Sequence, residues 1–213
     1  MSNCCVDNTD SYFDKNRAQN DLKRYRRKGP TGTTRVLLRA LNRQNLDQAT
    51  LLDVGGGIGI IGFELLKKGI ANAESIEMSS GAIAISQEEV TRLGYEDQFS
   101  FIHGDAVEEL DKAEDSSIIT LDRVVCCYPD AEQLLSKLLP KARTWFAISY
   151  PRSHWYTRLA FKLENAQRKR AGKAFRTYVH PEESIRSQII QAGFDCRFFK
   201  KSLLWNVEVY TRT

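Results

Sequence analysis

No stretch of this 213-residue sequence approaches the ~18 consecutive apolar residues that a membrane-spanning helix needs. The strongest short run, residues 117–121, ends at once in Asp122. The opening residues, MSNCCVDNTD, have neither a basic start nor an apolar core, so no secretory signal is expected and a cytoplasmic location is. Cysteine is sparse: two adjacent pairs, Cys4-Cys5 and Cys126-Cys127, and Cys196. Vicinal thiols bridge poorly and lack the two-residue gap of a zinc knuckle, so neither a disulfide framework nor a metal site is expected. An odd count with no signal segment suits a reducing compartment. Internal repeats and low-complexity segments are also missing, which excludes collagen, coiled coils and a wholly disordered chain.

What remains is an ordinary soluble composition, 42% hydrophobic and 27% charged. A chain of this length buries roughly 70% of its unfolded surface and needs no metal or disulfide to fold. Charge is distributed unevenly. Residues 1–50 carry 10 Lys/Arg against 5 Asp/Glu, residues 51–150 carry 8 against 17, and residues 151–213 carry 13 against 5. Basic ends flank an acidic middle, so the ends can face an anionic partner while the middle does something else.

Along the chain, residues 1–10 read as a tail and 11–48 as two helices broken at Gly29-Pro30. Short apolar runs at 49–54, 74–78, 99–103, 117–121 and 144–150 then alternate with amphipathic stretches at 60–68, 81–93, 107–110 and 131–139. This alternation predicts right-handed crossovers and a parallel sheet covered on both faces. After Tyr150 the pattern breaks: a charged, aromatic-bearing segment fills 152–176, a helix follows at 181–192, and two strands at 194–200 and 203–211 are joined too tightly for a crossover. That last pair must be antiparallel. The predicted class is α/β: a doubly wound, seven-stranded, mostly parallel sheet with an antiparallel C-terminal strand, an N-terminal helical cap and a helical insert after the fifth strand. Residues 1–48 form the tail and cap; 49–213 form the ligand-binding domain, with the insert at about 152–178.

The chemistry centres on Leu51-Leu52-Asp53-Val54-Gly55-Gly56-Gly57-Ile58-Gly59-Ile60-Ile61-Gly62. A strand runs into glycines and then into a helix. Glycines allow a tight turn and a ligand's close approach, and the helix start supplies free N–H groups. Two frames fit. Gly57-x-Gly59-x-x-Gly62, with Glu77 twenty residues beyond Gly57, satisfies the dinucleotide fingerprint of an NAD-binding oxidoreductase. Asp53-x-Gly55-x-Gly57-x-Gly59 instead resembles the class I S-adenosylmethionine-dependent methyltransferases.

Two further motifs, and the terminal antiparallel pair, favour the second frame. In that family an acid closing the second strand, here Glu77, grips both ribose hydroxyls, and the next residue, here Met78, packs on the adenine. A carboxylate can accept from two vicinal hydroxyls at once. His103-Gly104-Asp105-Ala106 is similar to the family's Gly-Asp-Ala motif, in which the Asp accepts from the adenine amino group and the following N–H donates to the ring. The resemblance covers residues 49–150 and implies S-adenosylmethionine as methyl donor, held by Asp53, Gly55, Gly56, Gly57, Gly59, Glu77, Met78, Asp105, Ala106, Asp122 and Arg123. Taken singly, Glu77 also reads as an exposed strand end and Asp105 as a helix cap.

The segment Val124-Val125-Cys126-Cys127-Tyr128-Pro129-Asp130 follows the fourth strand and is expected to face the methyl acceptor. It differs from the Asn-Pro-Pro-Tyr type of motif that marks methylation of nucleobase amino groups. Tyr12, Phe13 and Tyr25 from the N-terminal helices, and Tyr150, Arg152, Trp155 and Arg158 from the insert, are the expected acceptor-binding residues. His154 and then Tyr128 are the candidate bases. Phe13-Asp14 and Tyr128-Pro129 are also similar to features of the magnesium-protoporphyrin O-methyltransferases and their bacterial relatives. The expected partner is therefore a small, acid-bearing acceptor, with O-methylation favoured. Open alternatives are an RNA or protein methyltransferase using Lys23-Arg24-Tyr25-Arg26-Arg27-Lys28 and Arg168-Lys169-Arg170, and a donor-binding protein without catalysis.

Overall fold

The computed structural model describes residues 14–213. Cys4, Cys5, Tyr12 and Phe13 lie outside the described residues. The elements run α1 (Lys15–Lys28), α2 (Gly32–Leu41), β1 (Thr50–Val54), α3 (Ile60–Leu66), β2 (Asn72–Glu77), α4 (Ser80–Leu93), β3 (Phe99–His103), α5 (Ala106–Glu109) and β4 (Ser116–Asp122). They continue with α6 (Ala131–Leu138), β5 (Ala142–Pro151), α7 (Trp155–Arg170), α8 (Glu182–Gln191), β6 (Phe194–Lys201) and β7 (Trp205–Arg212).

The seven strands form one sheet in the order β3-β2-β1-β4-β5-β7-β6. β1 pairs parallel with both β2 and β4, and β7 lies antiparallel between β5 and β6. The sheet expected from sequence is therefore present, with β7 as its one reversed strand. One face packs under α1–α4 through residues such as Leu37, Phe63 and Ile85; the other packs under α5, α6 and α8 through Ala106, Leu134 and Ile189. No helix of the described residues is long and apolar enough to cross a membrane.

Two ion networks fix the cap and the rim. α1 starts at Asp14, whose side chain accepts from the Arg17 N–H, and buries Ala18, Leu22 and Tyr25 on one face. Arg26 from α1 and Arg92 from α4 both reach Glu89, whose side chain is fully buried. Burial alone would raise this carboxyl, but the hydrogen bonds from Arg92 and Arg26 hold it down to about 2. The second network ties β5, β7 and α8 together at Glu208, which accepts from Tyr150 and Arg186.

Candidate functional site

Strand order reverses between β1 and β4, and a cavity of about 420 Å³ opens at the carboxyl ends of these strands. This is the topological switch point where open α/β sheets bind ligands. Its floor is Asp53 and Gly55–Gly57 at the end of β1, Glu77 and Met78 at the end of β2, and Asp122 and Arg123 at the end of β4.

The glycine loop passes three times through positive φ, at Gly55 (61°), Gly57 (58°) and Gly59 (82°). A Cβ on Gly56 would sit 2.6 Å from Asp53 Oδ2 and 2.7 Å from Ser75 Oγ, so only a bare backbone passes over these buried groups. A Cβ on Gly57 would meet no atom within 4 Å, because that residue faces the cavity. Gly59 has a different task. It does not line the cavity, and a Cβ there would lie 2.9 Å from Ser86 Oγ and 3.0 Å from the Phe99 ring. Gly59 lets α3 pack on the sheet and α4.

Three carboxylates surround this floor. Glu77 is buried, and its oxygens accept from the Gly57 N–H and the Ser79 N–H, each at 2.8 Å. Burial raises its pKa, and the N–H groups of Ser79 and Gly57 oppose the rise. Asp122 accepts from the hydroxyls of Thr34 and Ser149. Asp53 is 1% exposed; its Oδ1 accepts from Thr120 at 2.5 Å, while its Oδ2 has no partner among the described residues. The neighbouring Ser75 hydroxyl is likewise unpartnered. Burial pushes the Asp53 carboxyl up to about 7; the Thr120 hydrogen bond opposes this, and the charges of Asp122 and Glu77 add to it. A buried carboxylate oxygen without a partner is costly and suits a positively charged or hydrogen-bonding ligand.

A cation lodged against Asp53 favours its ionised form. Below pH ~7, binding should therefore release a proton, and affinity should rise with pH until that carboxyl is fully ionised. In the ligand-free protein the sign is opposite. A carboxyl whose folded pKa is raised costs stability as pH climbs from its unfolded value to about 7, and that loss is complete and constant above it. Asp53→Asn should thus raise the melting temperature at pH 8 while weakening binding of a cationic ligand. Calorimetry at pH 6.5 in buffers of differing ionisation heat would show proton release by the wild type and none by the variant. Equal release by both would remove Asp53 from the site.

Other expected donor residues fall near this floor. Gly104 and Ala106 line the cavity, whereas Asp105 caps α5, accepting from the Val107 N–H at 2.7 Å. The Ala106 N–H is taken by the Tyr128 hydroxyl at 3.3 Å, and that hydroxyl lies 3.4 Å from Asp105. Tyr128 lines the cavity, but burial and then the Asp105 charge drive its pKa up, so the phenol stays protonated. Cys126 and Cys127 also line the cavity, both thiols directed at the Arg123 carbonyl. Arg123 itself adopts φ 66°, an uncommon conformation for a non-glycine residue, at the end of β4.

The five residues expected from the start of the insert lie elsewhere. Tyr150 is fully buried under the sheet and donates to Glu208 at 2.8 Å. His154 precedes α7, stacks on Tyr156 and lies 2.6 Å from Arg152, outside the cavity. Arg152 donates to the Ser202 carbonyl, Arg158 to the Ser153 carbonyl, and Trp155 is 74% exposed. The roof is formed instead by later turns of the same helix, through Phe161, Glu164 and Arg168, and by Phe175, Thr177 and Trp205. From the cap come Arg17, Asp21 and Arg24, spaced along one face of α1, and Thr34 of α2. The spacing 161-164-168 is one helical face and was the available signal.

A family model described as "Methyltransferase small domain" matches residues 25–121. The ribosomal protein L11 methyltransferase of Desulforamulus reducens is 28% identical over 88 residues, covering 40% of this chain and 29% of that protein, so the chain matches under a third of that relative's length. Magnesium protoporphyrin IX methyltransferase from Synechocystis PCC 6803 with bound S-adenosylhomocysteine superposes with a TM-score of 0.70 at 17% identity, over 96% of this chain and 98% of that one. Its complex with S-adenosylmethionine gives 0.69 at 16% identity, over 100% and 99%. An O-methyltransferase family protein from Burkholderia thailandensis gives 0.67 at 10% identity, over 84% and 56%. The chain has the fold of the S-adenosylmethionine-dependent methyltransferases. The expected enzyme class and the expected methyl donor agree with these findings.

Proposed function

We propose that this protein transfers a methyl group from S-adenosylmethionine to an oxygen of a small, acid-bearing acceptor with a large apolar surface. The observation that carries the reading is the unpartnered Asp53 Oδ2 beneath a loop with no side chains, in a cavity ringed by Glu77 and Asp122. Such a floor suits a ligand with positive charge and vicinal hydroxyls better than a nicotinamide dinucleotide, whose pyrophosphate is anionic.

In this reading Glu77 accepts from the ribose hydroxyls with the lone pairs its two backbone N–H partners leave free. Met78 covers the adenine and Ala106 borders it, while Asp105 stays at the α5 cap and holds that edge of the cavity in place. Gly55–Gly57 give the approach, and Asp53 and Asp122 face the amino-acid end, which leaves the Arg123 guanidinium to the acceptor. Residues 49–213 are the donor-binding domain; the cap and the 152–178 insert roof it. When bound, the donor supplies an electrophilic methyl group on a sulfonium. The chain need only align the acceptor oxygen with that carbon and exclude water, which is the contribution of the α1 and α7 roof.

The acceptor side suits an apolar acid. Val124, Cys126, Phe161, Phe175 and Trp205 provide apolar wall. Arg123 is half exposed and only 3.9 Å-distant from Asp122, which leaves its guanidinium able to take a bidentate carboxylate. His154 lies outside the cavity and Tyr128 remains a neutral phenol, and a carboxylate acceptor needs neither as base. The likeness to a methyltransferase named for magnesium protoporphyrin IX, over nearly the whole chain, supports the same class of acceptor.

The test is incorporation of labelled methyl into a panel of flat aromatic acids and, separately, their amides. Transfer to acids alone is expected. Transfer to RNA or to ribosomal protein with none to acids would favour the reading suggested by the L11-methyltransferase relative.

A further inference from the structure

We propose that the outer face of α7, with the adjoining β6–β7 turn, is a docking surface for an anionic lipid bilayer. α7 has apolar residues on two opposite faces. Thr157, Phe161 and Arg168 are buried on the inner one. On the other, Trp155, Leu159 and Leu163 recur at four-residue spacing and are 74%, 48% and 58% exposed. That spacing aligns them in a ridge along the helix. Leu203, 73% exposed in the β6–β7 turn, extends it. The turn is strapped to the start of α7: the Tyr156 hydroxyl donates to the Leu203 carbonyl and Arg152 to the Ser202 carbonyl, each at 3.1 Å. Single exposed leucines are ordinary on protein surfaces. A ridge of four large apolar side chains, one of them tryptophan, marks a partner.

Charge identifies the partner. Arg158, Lys162, Lys169 and Arg170 of α7 are exposed, and the helix has a single carboxylate, Glu164, which lines the cavity and pairs with Arg168. Lys200 and Lys201 add positive charge beside Leu203. An apolar ridge with a tryptophan at one end and cations on its flanks is the make-up of a helix that lies in the plane of a bilayer surface. The ridge contacts the acyl boundary while the cations meet anionic headgroups. The inner face of α7 lines the cavity with Phe161, Glu164 and Arg168, so docking would hold the cavity's roof at the bilayer surface, where an apolar acceptor concentrates. That consequence, unlike the docking itself, rests on the methyl-transfer reading.

Co-sedimentation of the full chain with vesicles tests the docking. Vesicles containing about a quarter phosphatidylglycerol should bind it at low salt, and pure phosphatidylcholine should bind it much less. Leu159→Glu with Leu163→Glu should abolish binding, and Lys162→Gln with Lys169→Gln should weaken it at least tenfold or so while steep salt dependence flattens. Both double variants alter exposed residues, and unchanged melting curves would show that the fold is kept. Failure to sediment with anionic vesicles at low salt overturns the proposal. So does undiminished binding by the Leu159/Leu163 variant, or a dimer by light scattering that this variant dissociates, which would make the ridge an interface between copies. Donor calorimetry on the same samples reads the methyl-transfer proposal independently.

Discussion

Replacing Glu208 by alanine should cost about 3–5 kcal/mol of stability. Glu208 is 1% exposed at the centre of β7, where an acid has no place without partners. It has them: Tyr150 of β5 donates at 2.8 Å, Arg186 of α8 at 2.6 and 2.9 Å, and Tyr210 from β7 itself. Removing the carboxylate strands two buried hydroxyls and a guanidinium that is 31% exposed, all aimed at one void. For a domain of this size the melting temperature should fall by roughly 10 °C. Urea unfolding would measure it. A loss below about 1 kcal/mol would mean that Arg186 reaches solvent and the tyrosines find other partners. The network also explains why Tyr150, an aromatic at the end of a central strand, serves the sheet rather than the acceptor.

Glu77→Ala should weaken donor binding by about 1–3 kcal/mol, roughly tenfold to a hundredfold in dissociation constant. Its two oxygens are already engaged by the Gly57 and Ser79 N–H groups, so the substitution also unties the glycine loop from the end of β2. Glu77→Gln should be nearly as harmful. A glutamine must turn its NH2 toward one of these N–H donors, so the loop cannot keep both hydrogen bonds. Gly57→Val offers an independent comparison. The position has φ 58° and an open cavity beside it, so valine combines backbone strain with a side chain where the donor would lie. Titration calorimetry with S-adenosylmethionine and S-adenosylhomocysteine would measure all three. An unchanged dissociation constant for Glu77→Ala would remove that residue from the donor site.

Much of this architecture was legible because its determinants are local. A strand such as Leu51–Val54 that runs into glycines and then Ile60-Ile61 can do little but turn and start a helix. Alternating runs dictate crossovers, and Phe194 to Thr211 leaves no room for one. Asp53, Glu77 and Asp122 stand at strand ends, and parallel strands bring their carboxyl ends to one edge whatever the helices do. The insert was harder. Hydrophobic periodicity identifies the buried face of a helix only when the other face is polar. α7 is apolar on both sides, so aromatic density pointed to Trp155 and its neighbours, while the cavity is lined by Phe161, Glu164 and Arg168. Likewise, the bland and functional readings of Asp105 could not be separated without seeing that its side chain caps α5.

The order of residues alone was enough to specify a wound sheet, a glycine turn and three acids gathered at its edge, since strand direction and chain length permit little else. Which side of α7 closes the cavity, which hydroxyls reach Asp122, and that no described side chain reaches Asp53 Oδ2 were settled by packing, because each depends on which distant segment arrives to supply or withhold a partner.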